Sequence, residues 1–261
     1  MAADQYIVPD WPASSAVRAV VTSRSLPGNS LPPFDAFNLG LRSGEDEGIV
    51  HANRDLLIRG LGLPSAPCWL RQVHGTNVVT FDRSLPAFGH LPPLAGERTA
   101  DEPEADAAIT RETGVVLAIL TADCLPILLC ADDGREIAAL HAGWRGLSAG
   151  VIEACVGAMR APAATLMAWL GPAIGPDSYE VGDEVRAAFL AHAGSASAAF
   201  SATRPGHWRC DLYGLARQRL QALGVTRVHG GGFDTFADPR FYSHRRDGAR
   251  SGRFATLIYL A

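Results

Sequence analysis

The sequence predicts an α+β fold in one domain spanning residues 1–261, and three observations carry that expectation. Segments of strand character and segments of helical periodicity follow one another without a regular βαβ alternation. At 261 residues with 48% hydrophobic content the chain can bury a large core. No internal repeat is visible, and the Pro- and Gly-rich stretches read as loops rather than an interdomain linker.

The elements follow in order. VRAVVTSR, from Val17, and CWLRQVHGTNVVTF, from Cys68, have the β-branched and aromatic character of strands, with GIVHANRDLLIRGLG a helix between them. Residues 85–105, LPAFGHLPPLAGERTADEPEA, read as a surface insertion. VVLAILTADCLPILLCA is too polar at Thr121, Asp123 and Pro126 for a membrane span and fits buried strands. ILLCADDGREIAAL then turns back at Asp132, Asp133 and Gly134 as a hairpin. GLSAGVIEACVGAMRA places Val151, Ile152, Cys155, Val156 and Met159 on one stripe of a packed helix, with Ser148 as its N-cap. LMAWLGPAIG is a strand entering a turn, DLYGLARQRLQALGV an amphipathic helix capped by Asp211, and ATLIYL the closing strand.

Composition excludes several functions. A net charge of −4 gives no general attraction to nucleic acid or anionic lipid, so the expected partner is a small molecule. Five scattered cysteines, Cys68, Cys124, Cys130, Cys155 and Cys210, make no disulfide framework and point to a reducing compartment. The N-terminus lacks the basic and apolar regions of a secretory signal, so a cytoplasmic location is expected. All 23 basic side chains are arginine. That removes a lysine-bearing phosphate loop, a Schiff base and a lysine nucleophile, and leaves anion recognition to guanidinium forks, main-chain amides or metal.

Cys124 and His141 stand at the two ends of the predicted hairpin. With a short loop, paired positions sum to about 265–267, which puts these two nearly opposite each other unless Pro126 introduces a bulge. Three readings stay open for the pair: a buried cysteine beside a satisfied histidine, a thiol nucleophile with its base, or part of a metal site. The third needs another ligand. His74, in QVHGTNV, offers one, and three nitrogen and sulfur ligands with an open fourth position describe a catalytic zinc.

The ordered series WLRQVHGTNVV, ADAAIT, LAILTADCLPILL, AALHAGWRGL, WLGPAIGPDSYEVGDEV and FYSHRRDGARSGRFATLIYL resembles the YfiH-type family. Its members are known as laccase-domain or multicopper polyphenol oxidoreductases and as purine nucleoside phosphorylases. The resemblance begins at FNLGL and NRDLL and runs to the C-terminus. It implies a layered mixed β-sheet core flanked by helices and one Zn2+ held by His74, Cys124 and His141, which also become the catalytic set. It further implies phosphorolysis of adenosine, inosine, guanosine and methylthioadenosine, with deamination of adenosine. The chain departs from many relatives at Asp177, Ser178, Asp234, Ala237 and His244, which argues against a second thiol site.

Multicopper oxidase chemistry fits the residues poorly. Eight histidines include no His-x-His pair, and Met159 and Met167 read as core positions rather than axial ligands. Cu2+ can still occupy the three-ligand site, since intrinsic affinity favours copper over zinc. For substrate, Arg145 in HAGWRG and Arg245 and Arg246 in SHRRDG are candidate phosphate clamps, each weighed against an ordinary surface role. Gln72 shares a strand face with His74 and is a substrate or supporting candidate; Trp144 and Tyr179 can stack on a purine or simply pack. Asp123, on the opposite strand face from Cys124, reads as a structural hydrogen-bonding group, and Asn38 as a turn residue. The leading expectation is a zinc-dependent purine nucleoside phosphorylase with adenosine deaminase activity, as a monomer or homodimer. The alternatives are a cysteine or zinc hydrolase of an amide or ester, such as one editing a peptidoglycan precursor, a copper-linked polyphenol oxidase, and a non-catalytic metal-binding module.

Overall fold

The alternating apolar positions of the long strands sort their side chains onto two faces, and the fold buries both. The computed structural model describes residues 6–82 and 102–261. Most of the expected 85–105 insertion lies outside them. In chain order the strands are β1 (Tyr6–Ile7), β2 (Val17–Thr22), β3 (Val78–Phe81), β4 (Ala107–Thr110), β5 (Val116–Thr121), β6 (Leu125–Ala131) and β7 (Ile137–Ala142). They continue as β8 (Leu166–Leu170), β9 (Glu180–Gly182), β10 (Phe200–Arg204), β11 (His207–Cys210), β12 (Arg227–Gly230) and β13 (Phe254–Leu260). The helices are α1 (Glu47–Leu61), α2 (Trp144–Ala149), α3 (Val151–Ala158), α4 (Asp183–Leu190), α5 (Leu212–Ala222) and α6 (His244–Asp247).

A six-stranded sheet ordered β12-β8-β6-β7-β4-β3 is mixed, with parallel pairs at its two edges and antiparallel pairs within. A four-stranded antiparallel sheet, β1-β2-β13-β5, packs on it, and β10-β11-β9 form a third, smaller sheet. One face of the six-stranded sheet (Ile127, Leu129, Leu140, Leu170) packs on α3, α4 and α5. The alternate residues (Leu128, Cys130, Ala139, Trp169) meet Leu117 and Ile119 of β5 and Ile258 of β13. The far face of that second sheet, with Val116, Ala118 and Leu257, is covered by Leu57 of α1 and by Leu26, Phe37 and Leu39. Double-sided burial is why β6 reads as an unbroken apolar run. The expected α+β class with a layered mixed sheet is the observed one.

Local signals account for the helix ends. Asp46 accepts the Ile49 N–H at the start of α1, and Gly62 closes it with φ of 60°. Asp211 caps α5 through the Gly214 N–H, as expected. The single helix expected across 146–161 is instead two, α2 and α3, broken at Gly150 with φ of 103°. Ser148 is therefore no cap; it lies inside α2 and donates to the Arg145 carbonyl. The expected core stripe, Val151 to Met159, is buried. No helix among the described residues is long and apolar enough to cross a membrane.

Candidate metal centre

The run expected to give two buried strands does so by changing sheet. β5 belongs to the four-stranded sheet and β6 to the six-stranded one, and residues 122–124 make the passage between them. Asp123 takes φ of 91° there, a left-handed conformation costly for a residue with a Cβ. It is held by its own carboxylate, which accepts from Thr235 Oγ1 at 2.7 Å and from the Arg245 N–H at 2.6 Å. The structural role expected of Asp123 matches these bonds. Cys124 emerges at the end of the six-stranded sheet where β6 begins and β7 ends.

The hairpin register falls at the upper end of the expected range. His141 pairs with Pro126 and Leu125 with Ala142, so paired positions sum to 267 and Cys124 precedes the ladder. Cys124 lies two residues before Pro126, the partner of His141, so the two meet diagonally rather than as a directly opposed pair. Cys124 Sγ and a ring nitrogen each from His74 and His141 lie within 4.8 Å of one another. His74 Nε2 is 3.8 Å from Cys124 Sγ, and the two imidazoles meet edge to face with centroids 4.7 Å apart.

His74 does not sit on a strand. Of the stretch from Cys68 to Phe81 only β3 is one, with isolated bridges at Cys68 and Arg71. The reason is Asp106, fully buried just before β4, whose carboxylate accepts the backbone N–H groups of Val73 at 3.2 Å, His74 at 2.9 Å and Gly75 at 2.6 Å. Three successive amides turned onto one carboxylate cannot also serve a sheet ladder, and His74 accordingly takes φ of 61°. The same carboxylate bonds His141 Nδ1 at 2.8 Å. One acid thus fixes the loop carrying one imidazole and the orientation of the other, leaving His141 Nε2 for the cluster. Asp106 was missed in the sequence; the signal available was a lone acid opening the apolar strand ADAAIT.

Electrostatics follow from this arrangement. Burial alone would lower the His141 imidazolium and raise the Cys124 thiol. The Cys124 charge and the Asp106 bond shift His141 up, while the charges and hydrogen bonds of His141 and His74 shift Cys124 down. Burial also opposes ionisation of Asp106, yet the His141, Gly75 and Val73 bonds hold its carboxyl below the usual range. The other four cysteines are buried, and burial pushes their thiols up. Cys155 is a core residue, as expected. Gly143 has no room for a side chain: a Cβ there would lie 2.8 Å from His74 Cδ2 and 2.9 Å from Cys124 Sγ.

Two imidazoles and one thiolate suit zinc or copper rather than a hard cation. Ligand atoms around a tetrahedral zinc sit roughly 3.3–3.8 Å apart, so the cluster needs only small side-chain shifts to close on a metal. Among the described residues it is one group of three such side chains, which provides no multinuclear copper site. Met159 and Met167 are buried in core clusters, as expected.

The remaining candidates are dispersed in role. Gln72 gives its whole amide to Leu120, donating to the carbonyl at 2.8 Å and accepting from the N–H at 2.9 Å, which ties the His74 loop to β5. Arg246 is consumed by the carbonyls of Thr235, Phe236 and Phe241 and by Asp247. Arg245 donates to the Glu180 carbonyl and lies over the Tyr179 ring, 5.1 Å from its centroid. Arg145 is exposed and stacks on Trp144 at 4.5 Å. Asn38 is more than a turn residue: fully buried, it bonds Gly40, Ser43, Glu45 and the Arg253 N–H. Ser178 donates to Asp234 and so braces the loop.

Known proteins share both sequence and fold with this chain. It is 52% identical over 260 residues to a Xylella fastidiosa (strain 9a5c) protein named purine nucleoside phosphorylase, covering 97% of this chain and 96% of that one. It is 44% identical over 255 residues to purine nucleoside phosphorylase YfiH of Escherichia coli K12, covering 97% and 98%. Among solved structures, Neisseria meningitidis NMB0706 superposes with a TM-score of 0.88 at 38% identity, covering 98% of this chain and 99% of that chain. YlmD of Geobacillus stearothermophilus superposes at 0.89 and 30%, covering 100% and 97%. The profile described as multi-copper polyphenol oxidoreductase laccase matches residues 18–261, and the chain belongs to that family.

Proposed function

We propose that this chain, working as one domain over residues 1–261 in the cytoplasm, is a zinc-dependent purine nucleoside phosphorylase with adenosine deaminase activity. Its substrates would be adenosine, inosine, guanosine and methylthioadenosine. The observation that carries the reading is the convergence of His74, Cys124 and His141 around the Asp106 brace, in a chain whose relatives bear the phosphorylase name. His74, Cys124 and His141 would hold the metal, and Zn2+ bound there supplies Lewis acidity that can ionise water near neutral pH. Copper is the competing occupant of the same donors.

The chain's own residues account for the rest. Asp106 keeps the proton on His141 Nδ1, so that Nε2 is available to the metal. In phosphorolysis the bond from the ribosyl carbon to the purine nitrogen breaks, a phosphate oxygen bonds that carbon, and the purine leaves with a proton on a ring nitrogen. Arginine forks suit the phosphate, with Arg145 and Arg245 exposed on the helices that follow His141 and flank Asp123. The exchange of adenosine's amine for water needs no phosphate.

That difference is the test. Inosine should give hypoxanthine and ribose 1-phosphate only with inorganic phosphate present, whereas adenosine should also give inosine without it. Cys124→Ala should abolish both reactions, and Arg145→Ala should depress phosphorolysis by ~10 to 150-fold and deamination less. The lowered Cys124 thiol supports one rival, a cysteine or zinc hydrolase of an amide or ester. Inosine left intact at every phosphate concentration, with a peptide-like or ester substrate cleaved, would put that rival first.

A further inference from the structure

Arg253 is the last residue before β13. The β13–β5 ladder ends on the pair Phe254 and Thr121, so Arg253 stands one step beyond it, beside the 122–124 turn that delivers Cys124. Its position is fixed at three points. The backbone N–H donates to buried Asn38 Oδ1 at 2.8 Å. The stem lies against Gly40, where a Cβ would come within 2.7 Å of its Cγ. Nη1 donates to the carbonyls of Ser251 at 2.7 Å and Gly252 at 2.9 Å.

Nε and Nη2 make no hydrogen bond among the described residues, and they are not among the polar atoms sealed from solvent. Those two nitrogens share one edge of the guanidinium, the edge that takes two oxygens of an oxyanion side by side. The β13–β5 register sets Arg253 beside the turn that carries Asp123 and Cys124. Asp123 gives its two carboxylate oxygens to Thr235 and Arg245. Of the arginines around the cluster, Arg246 has its guanidinium tied up by protein groups, and Arg145 and Arg245 are exposed. Arg253 is half-buried, rigidly held and open along one edge. An anion arriving beside the Cys124 thiolate meets repulsion that a fixed cation at this spot offsets.

We propose that the open Nε and Nη2 edge of Arg253 is the inner binding site for inorganic phosphate, the nucleophile of the phosphorolysis proposed above, on which this assignment rests. Arg145, exposed on α2, then serves the same phosphate as an outer contact.

Inorganic phosphate alone, titrated calorimetrically into the zinc-loaded full chain without nucleoside, tests the site. Wild type, Arg253→Gln, Arg253→Lys and Arg59→Gln are compared, Arg59 being an exposed residue in the last turn of α1 that matches the charge change. Arg253→Gln should weaken phosphate binding ~10 to 150-fold, the loss of a charge-assisted bidentate contact. Arg253→Lys should recover part of it, since lysine restores the charge without the fork. Arg59→Gln should bind as wild type does. In steady-state assays of inosine, KM for phosphate should rise in Arg253→Gln while KM for inosine changes little. Metal content and Tm report whether each variant is folded; if Arg253→Gln is not, the Arg253→Lys comparison decides. Equal phosphate affinity in wild type and the folded variant overturns the proposal, as does a wild type that binds no phosphate at tens of millimolar. Phosphate binding that depends on Arg253 in a protein that leaves inosine intact keeps the anion site and removes the phosphorylase reading instead.

Discussion

Replacing Asp106 by Asn changes no volume and removes one charge, and the consequences can be worked out atom by atom. Oδ1 serves the His74 N–H and His141 Nδ1, and Oδ2 serves the N–H groups of Val73 and Gly75. An asparagine has one acceptor to offer. If its NH2 takes the Oδ2 position, two backbone donors, including the 2.6 Å bond from Gly75, face another donor. If it takes the Oδ1 position, the His74 amide loses its acceptor and His141 must accept at Nδ1. The proton then moves to Nε2, the nitrogen needed by the metal. A buried donor left unpaired costs about 1–3 kcal/mol, so either orientation destabilises the metal-free fold by a few kcal/mol. Zinc affinity should fall ~10 to 100-fold, the usual effect of removing a carboxylate that supports a ligating histidine. The assay is competition with a chromophoric chelator, alongside urea unfolding of the metal-free protein. A folded Asp106→Asn variant with wild-type zinc affinity would refute the argument that Asp106 sets the His141 tautomer.

Further outcomes are expected. His74→Ala, Cys124→Ala and His141→Ala should each strip the protein of its metal, read by elemental analysis; full activity after exhaustive chelation would favour the thiol nucleophile. In metal-free protein the Cys124 thiol is lowered to about 6, whereas Cys68, Cys130 and Cys210 are pushed up to about 12. Iodoacetamide should therefore label Cys124 first at neutral pH, the rate falling as pH drops through about 6, and bound zinc should slow it; equal rates with and without metal would count against coordination. Gly143→Ala should lower zinc affinity and cost about 1–3 kcal/mol of stability by pushing a Cβ into His74 and Cys124. Gln72→Leu should lower Tm by leaving Leu120 N–H and C=O unpaired, with little change in kcat; lost activity at unchanged Tm would return Gln72 to substrate contact.

Much of the architecture was legible because it rests on local patterns. The apolar runs of strand character along β2, β8 and β13, the Asp-Asp-Gly turn, and the cap at Asp211 are decided within a few residues, and the observed elements follow them. The three clustered side chains were legible as candidates, with position leaving several readings open and the family resemblance joining them as one ligand set. Tertiary structure decided what joins them. Gly150 splits the helix because its φ is left-handed, which a periodic stripe cannot reveal. Cys124 meets His141 at the end of a passage between two sheets, held there because Asp123 finds partners more than 100 residues away at Thr235 and Arg245. Asp106 braces His74 and His141 from a point 32 and 35 residues distant, and Arg253 comes to the cluster from the far end of the chain on the register of β13. These are contacts between segments with no sequence relationship to one another. Composition and spacing name the groups able to act; only the long-range packing of sheet on sheet determines which of them can act together.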